Sequence, residues 1–165
     1  MSNTRRAQRT GQGGFTLIEL LVVVLVIGIL ASIAIPAFLG QRRRAQDTAA
    51  KSIIRSGVIA TESYYTENAT QNFAGMVPAL LSSQEQNVNW TTGVAQTVAN
   101  EVQVVLFGPA GAEDSYVLAS QSKTGTTFVY LRTPSGASYR CSGTAAPVAA
   151  TTAPTSCTGT YSGSW

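Results

Sequence analysis

The sequence contains no histidine and only two cysteines. Histidine is the side chain that titrates near neutral pH, so its absence excludes Ser-His-Asp and Cys-His catalytic groups and zinc sites with histidine ligands. Two cysteines cannot supply a four-cysteine zinc site either. We therefore expect no catalytic residue, no metal and no cofactor. An anchored enzyme or binding protein remains the alternative from a different functional class.

Charged residues are scarce as well, at 12% of 165 residues, whereas soluble domains average about 25%. Three of the eleven basic residues, Arg5, Arg6 and Arg9, lie in the first 14 positions, which contain no acidic residue. The eight remaining basic residues are balanced by eight acidic ones. This balance argues against nucleic-acid binding as the main role; nucleic acid is a partner that the sequence permits but does not indicate.

One long apolar run dominates the first part of the chain. The segment Leu20–Leu39 contains no charged residue and would span about 30 Å as a helix, the thickness of the bilayer hydrocarbon. Arg42–Arg44 follow at the expected headgroup boundary, and basic residues on both sides leave the orientation open. The alternative, a cleaved secretory signal, is disfavoured because the run exceeds the usual 7–15 residues and offers no A-x-A site.

Gly28 and Pro36 are expected to interrupt the apolar helix. Pro36 cannot donate a hydrogen bond to the carbonyl of Ser32, and Gly28 costs about 1 kcal/mol relative to alanine in a helix. Ordinary tolerance of glycine and proline in membrane helices is the alternative.

The helical pattern continues beyond Gly40 and becomes amphipathic. One helix is predicted from Phe15 to near Asn68, about 80 Å long. Its second part carries two neighbouring stripes, which require a globular partner. The stripes consist of Ile53, Gly57, Ala60 and Tyr64, and of Ile54, Val58, Thr61 and Tyr65.

Alternating apolar residues predict a small antiparallel sheet in the C-terminal part. Turn-forming residues separate the runs closely enough for hairpins, so we predict three or four strands. These strands are Glu101–Phe107, Tyr116–Gln121, Thr127–Arg132 and a weaker Ala137–Cys141. Residues 71–100 are expected to form an irregular connection and residues 142–165 a loop, with Tyr161 and Trp165 exposed. The predicted fold class is α+β.

A glutamate stands at the start of the apolar helix, in Gly14-Phe15-Thr16-Leu17-Ile18-Glu19. Such a charge costs about 2.5–3.5 kcal/mol at the bilayer centre. Cleavage between Gly14 and Phe15 would create an ammonium group one helical turn from Glu19, available to its own chain or to a neighbour. The alternative is a Glu19 side chain that reaches the membrane interface by itself.

This segment resembles the type IV prepilin signature, which pilins share with the pseudopilins of type II secretion. The resemblance covers residues 1 to about 40 and implies the type IV pilin fold. It implies that prepilin peptidase cuts the Gly14–Phe15 bond, that Phe15 is N-methylated and that Glu19 engages the N-terminus of an adjacent subunit. It also implies that the helix can melt near Gly28 and Pro36 in the filament. Gly13 is a departure, since many leaders carry lysine or arginine there.

Cys141 and Cys157 are expected to form a disulfide, because an even cysteine count suggests pairing in an extracytoplasmic domain. This pairing resembles the C-terminal disulfide loop of many pilins; two free buried thiols are the alternative. The predicted organisation is a leader at 1–14, a membrane and filament-core segment at 15–40, an amphipathic helical segment at 41–70 and a globular β domain at 71–165.

The resemblance implies a structural function. The expected subunit is cleaved, N-methylated and polymerised into a surface pilus for adhesion, twitching motility or DNA uptake. Its expected partners are other copies of itself, prepilin peptidase/methyltransferase, the assembly platform protein with its ATPase, and the membrane before assembly. The expected location is the inner membrane for the precursor and the cell surface for the filament. The alternative is a pseudopilin of a type II secretion system.

Overall fold

The computed structural model describes residues 14–92, 101–144, 156–157 and 163–165. The chain divides into two compact units, the first ending at Gly40 and the second beginning at Gln41. The first helix, α1, covers Leu17–Glu67 and so contributes residues to both units.

The first unit consists of an exposed apolar helix. Every large apolar side chain from Phe15 to Leu39 is exposed, with exposed fractions between 48% and 84%. Among the described residues, α1 is the one helix long and apolar enough to cross a membrane. These side chains therefore need an apolar environment, which a bilayer or other copies of the chain can supply.

The interruption expected at Gly28 and Pro36 is not seen in this unit. Helical conformation continues through both residues. Pro36 removes one hydrogen bond, to the carbonyl of Ser32, while the turns on either side keep theirs. The melting implied for an assembled filament concerns a different state and stays a prediction.

The second unit combines its part of α1 with a short helix and a six-stranded sheet, which confirms the predicted α+β fold. The sheet order is β1-β2-β3-β4-β5-β6, with β1 parallel to β2 and all other neighbours antiparallel. The elements after α1 are α2 (Pro78–Gln84), β1 (Asn89–Thr91), β2 (Glu101–Phe107), β3 (Ser115–Gln121), β4 (Thr127–Arg132), β5 (Ser138–Gly143) and β6 (Gly163–Ser164).

The predicted number of three or four strands was too low. The four central strands β2–β5 match the four predicted runs, and two very short strands extend the sheet at its edges. The predicted irregular connection 71–100 contains α2 and β1, and the predicted loop 142–165 contains β6. A helix of seven residues and strands of two or three residues are too short to show a periodic pattern.

The core lies between α1 and one face of the sheet. Val104 pairs with Leu118, which in turn pairs with Tyr130, so these three side chains share the face that packs toward the helix. Five residues of α1 are buried at helical spacing: Ala50, Ile54, Gly57, Ala60 and Thr61. Four of these belong to the predicted stripes.

Trp165 was predicted to be exposed, and this was wrong. Its ring is half-buried, lies edge-on to Phe128 at 5.9 Å, and donates a hydrogen bond from Nε1 to the Val129 carbonyl at 3.2 Å. A large aromatic side chain is more stable against the sheet than in water, and strand β6 positions it there. Tyr161 lies outside the described residues.

Candidate functional site

The predicted processing site precedes the first turn of α1. Gly14 and Phe15 are non-helical and exposed, Phe15 to 84%, and no atom lies within 4 Å of the position of a Gly14 side chain. Among the described residues nothing covers the bond between them, so a peptidase can approach it. The rest of the predicted leader, residues 1–13, lies outside the described residues.

Thr16 and Glu19 form a reciprocal cap at the N-terminus of α1. The Thr16 backbone N–H donates to Glu19 Oε2 at 2.8 Å, and the Thr16 hydroxyl donates to the same oxygen at 2.7 Å. In return, the Glu19 backbone N–H donates to Thr16 Oγ1 at 3.3 Å. This is the capping-box arrangement, in which two residues three positions apart satisfy each other's free backbone donors.

The cap gives the Glu19 carboxylate a partner before any cleavage occurs. Its charge lies at the positive end of the helix dipole and accepts two hydrogen bonds. Pairing with an ammonium at Phe15 requires that the leader first be removed, because Phe15 is otherwise an amide. Thr16 was not predicted as a functional residue, although the T-x-x-E spacing that signals the cap is present in the sequence.

The disulfide between Cys141 and Cys157 is confirmed. The two Cα atoms are 5.5 Å apart and the residues are 16 positions apart in sequence. Cys141 is 1% exposed and packs with Ala119, Val129 and Leu131 on the face of the sheet opposite α1. The bond therefore fastens the C-terminal segment to this second face.

A polar network fastens the end of α1 to the sheet. The Tyr116 hydroxyl donates to Glu62 Oε1 at 2.7 Å, and Arg132 Nη1 lies 3.4 Å from Glu62 Oε2. The Arg132 guanidinium also lies over the rings of Tyr65 and Phe73, at 4.5 Å and 5.1 Å. Burial first, and the Glu62 carboxylate second, raise the pKa of Tyr116 well above its ordinary value.

This network is a structural joint between the helix and the sheet, because its members lie on α1, β3 and β4. Glu62 accepts a hydrogen bond from Tyr116 and forms an ion pair with Arg132, whose Nη1 has no hydrogen-bond partner among the described residues. No sequence signal could have found it, because Tyr116 and Glu62 are 54 residues apart. Within the part of the chain that the structure describes, no group of three or more His, Cys, Asp or Glu side chains could hold a metal ion.

Comparison with known proteins gives the same assignment for the N-terminal segment. Residues 9–35 match the model of the prokaryotic N-terminal methylation motif. The chain is 40% identical to the type IV wide pilus major component PilA4 of Thermus thermophilus over 47% of this chain and 61% of that protein. It is 46% identical to the type IV major pilin protein PilA of Myxococcus xanthus over 33% of this chain and 24% of that protein.

A third relative is matched over most of its length. The chain is 31% identical to the type II secretion system core protein G of Pseudomonas aeruginosa over 72% of this chain and 90% of that protein. By contrast, the matches span less than two thirds of the two pilins above. No solved structure matches the chain. The extended match to core protein G, together with the methylation motif, shows that the chain belongs to the family of type IV pilins and type II secretion pseudopilins.

Proposed function

We propose that this protein is a type IV pilin, the precursor of a subunit that polymerises into a cell-surface filament. Prepilin peptidase cuts between Gly14 and Phe15, and Phe15 is then N-methylated. One observation carries the proposal: an accessible Gly14–Phe15 bond lies two residues before a helix whose large apolar side chains are exposed from Leu17 to Leu39. The filament serves adhesion, twitching motility or DNA uptake, and the protein's role is structural.

The same apolar helix serves in two environments. It anchors the precursor in the inner membrane as a single span, and it later bundles with the helices of other copies in the extracellular filament. Lipid tails are about as apolar as leucine side chains, so bundling has little hydrophobic driving force relative to the membrane. The transfer therefore depends on polar interactions such as that of Glu19, and on work done by an assembly ATPase through its platform protein.

Glu19 supplies registry as well as attraction in this mechanism. After cleavage, its carboxylate can exchange the Thr16 donors for the methylated ammonium of a neighbouring subunit's Phe15. A charge inside an apolar bundle is stable only when paired, so neighbouring helices align where the pair forms. This requirement fixes the axial position of one subunit relative to the next.

The alternative function is that of a pseudopilin in a type II secretion system. The match covering 90% of core protein G favours it. The disulfide loop, the Ser/Thr-rich tail and the relatives named as major pilins favour the surface pilin. The two functions differ in whether the filament reaches the outside of the cell.

The test is the mass of the N-terminal peptide in sheared surface material and in membranes. A peptide that begins at N-methylated Phe15 in the sheared fraction is the expected result. The same peptide confined to membranes would favour the pseudopilin. An N-terminus near Ala34 or Ala37 would mean cleavage by signal peptidase and would overturn both functions.

A further inference from the structure

The second unit has an uneven distribution of charge along the sequence. Residues 41–55 contain five basic residues and one acidic residue. Residues 56–122 contain six acidic residues and no lysine or arginine, whereas residues 123–165 contain three basic residues and no acidic one.

The fold gathers basic residues at the beginning of the second unit. The hydroxyl of Thr124 donates to Asp47 Oδ1 at 2.6 Å, which places the turn between β3 and β4 beside the first turns of α1 in this unit. Exposed Lys123 belongs to this turn, and it therefore lies near Arg42–Arg44 and Lys51. These five cations form what we call the basic pole. Asp47 of α1 lies among them, and the buried Glu101 begins β2 at the same end of the sheet.

Acidic residues gather at the other end of α1. The rings of Tyr65 and Phe73 are 5.1 Å apart, and the Phe73 N–H donates to the Glu113 carbonyl at 2.7 Å. The loop between β2 and β3 is thereby fixed beside the last turns of the helix. Glu67, Glu113 and Asp114 form what we call the acidic pole. Along α1, Glu67 lies about 24 Å from Lys51 and about 38 Å from Arg42, at 1.5 Å per residue.

The negative charge of the acidic pole is not compensated among the described residues. Arg132 is the nearby cation, and it already pairs with Glu62 at 3.4 Å. The last turn of α1 contains no basic residue, so Glu67 lies at the negative end of the helix dipole, where a carboxylate is unfavourable. Glu113 Oε2 is buried without a hydrogen-bond partner in the described part of the chain.

We infer that neighbouring copies of this chain dock head to tail in the filament, with the acidic pole of one copy against the basic pole of another. The inference rests on the proposed polymerisation and adds a second interface to it, between the globular units. Two different patches on one subunit form a heterologous contact, which generates open helical filaments. Opposite charges on the two patches favour this orientation and oppose docking of like poles.

The test is charge reversal at each pole in cells that assemble the full chain. One variant carries Glu113→Lys with Asp114→Lys, a second carries Arg44→Glu with Lys123→Glu, and a third carries all four changes. Arg42 and Arg43 remain beside the apolar segment in every variant. The readout is the ratio of chain in sheared filaments to processed chain in membranes.

Each double reversal is expected to lower this ratio at least about tenfold, and the four changes together should restore much of it. The neutral variant Glu113→Gln with Asp114→Asn serves as the matched control and should lose less than the reversal. Disulfide formation and an N-terminus at Phe15 in the membrane fraction identify variants that fold and are processed.

Two results would overturn the inference. In one, folded and processed reversal variants assemble like the unsubstituted chain; in the other, the four changes together assemble less well than either pair. The second result is expected if the two double reversals impair assembly independently, because the free-energy costs of independent changes add. If the unsubstituted chain itself never enters sheared filaments, the proposed surface pilin fails, and the pole-to-pole contact fails with it.

Discussion

At the scale of single residues, Glu19 combines two properties that substitutions can separate. Its carboxylate accepts the hydrogen bonds that complete the cap of α1, and it carries the negative charge proposed to hold a neighbouring subunit. Glutamine also serves in a capping box but has no charge. A comparison of glutamine and alanine at this position therefore distinguishes capping from charge.

We predict that Glu19→Ala and Glu19→Gln both insert into the membrane normally and both fail to assemble, or assemble poorly. Insertion depends on the apolar residues that follow, whereas assembly depends on the charge. Membrane fractionation and the yield of sheared filaments provide the measurement. Normal filament yield in Glu19→Ala would refute the registry role, and assembly of Glu19→Gln alone would assign the effect to the cap.

Tyr116 links stability to pH. Because burial and Glu62 raise its pKa in the folded protein, the folded state retains the phenolic proton that the unfolded chain loses near pH 10. The hydroxyl's contribution to stability is therefore fully present below about pH 10 and is lost as the pH rises above that value. We predict that Tyr116→Phe lowers the free energy of unfolding by about 1.5 kcal/mol at pH 7.

The difference in unfolding free energy between Tyr116→Phe and the unsubstituted chain should shrink above about pH 10, since only the latter has this proton to lose. Urea unfolding of the detergent-solubilised chain between pH 7 and 11 provides the measurement. Exposed Tyr139 offers the matched control, and Tyr139→Phe should leave stability unchanged at pH 7. A difference that stays constant with pH would contradict the role of the hydroxyl.

At the scale of elements, the contact between α1 and the sheet depends on a glycine. A side-chain carbon at Gly57 would lie 3.2 Å from Trp90 Cη2 and 3.3 Å from Leu118 Cδ1. Alanine gains about 1 kcal/mol in helix propensity, but overpacking costs about 1–3 kcal/mol. We predict that Gly57→Ala lowers the free energy of unfolding by about 1 kcal/mol.

Gly40 in the same helix provides the matched control for Gly57→Ala. No atom lies within 4 Å of its added side-chain carbon, so Gly40→Ala should not destabilise the protein. Thermal unfolding of both variants in one detergent gives the comparison. Equal or higher stability of Gly57→Ala would mean that the sheet yields to the new methyl group without cost.

The disulfide is expected to stabilise the folded protein, because it closes a loop and thereby lowers the conformational entropy of the unfolded chain. We predict that replacing Cys141 and Cys157 together by alanine lowers the free energy of unfolding by about 3 kcal/mol. A reductant should produce a similar shift in the unsubstituted chain and none in the variant. Complete reduction without any change in thermal unfolding would contradict this prediction.

The sequence predicted those elements whose pattern is local and repeated. Strands β2–β5 alternate apolar residues between turn signals, and α1 shows both an apolar run and an amphipathic period. Strand β6 has two residues and exists only through its pairing with Cys141 and Ser142, so no local signal precedes it. The half-buried position of Trp165 follows from that same pairing and was equally unpredictable.

The same distinction separates the site residues that the sequence predicted from those that it did not. Gly14, Phe15 and Glu19 were found because they form one contiguous motif, and the pair Cys141 and Cys157 because the sequence offers no other cysteine. The joint between Glu62 and Arg132 depends on tertiary contacts across 70 positions, which no spacing rule reveals.

At the scale of the whole molecule, the two units differ in whether their apolar side chains are exposed or buried. The apolar side chains of the first unit are exposed and require lipid or other subunits. The second unit has a buried core of its own, and every residue of that core lies after Gln41, from Ala50 to Cys141. The stability of the second unit should therefore not depend on the environment of the first.

We predict that a fragment comprising residues 41–165 folds without the apolar segment and does not aggregate in water. It retains the buried core and the disulfide, and it lacks the exposed apolar helix that would otherwise associate. A cooperative thermal transition, a near-ultraviolet circular dichroism signal from Trp90 and Trp165, and elution without aggregates provide the measurement. Ile54→Asp, which buries an unpaired charge, should abolish that transition, because Ile54 is 0% exposed. Absence of a cooperative transition in the unsubstituted fragment would show that the apolar helix is needed for folding as well as for anchoring.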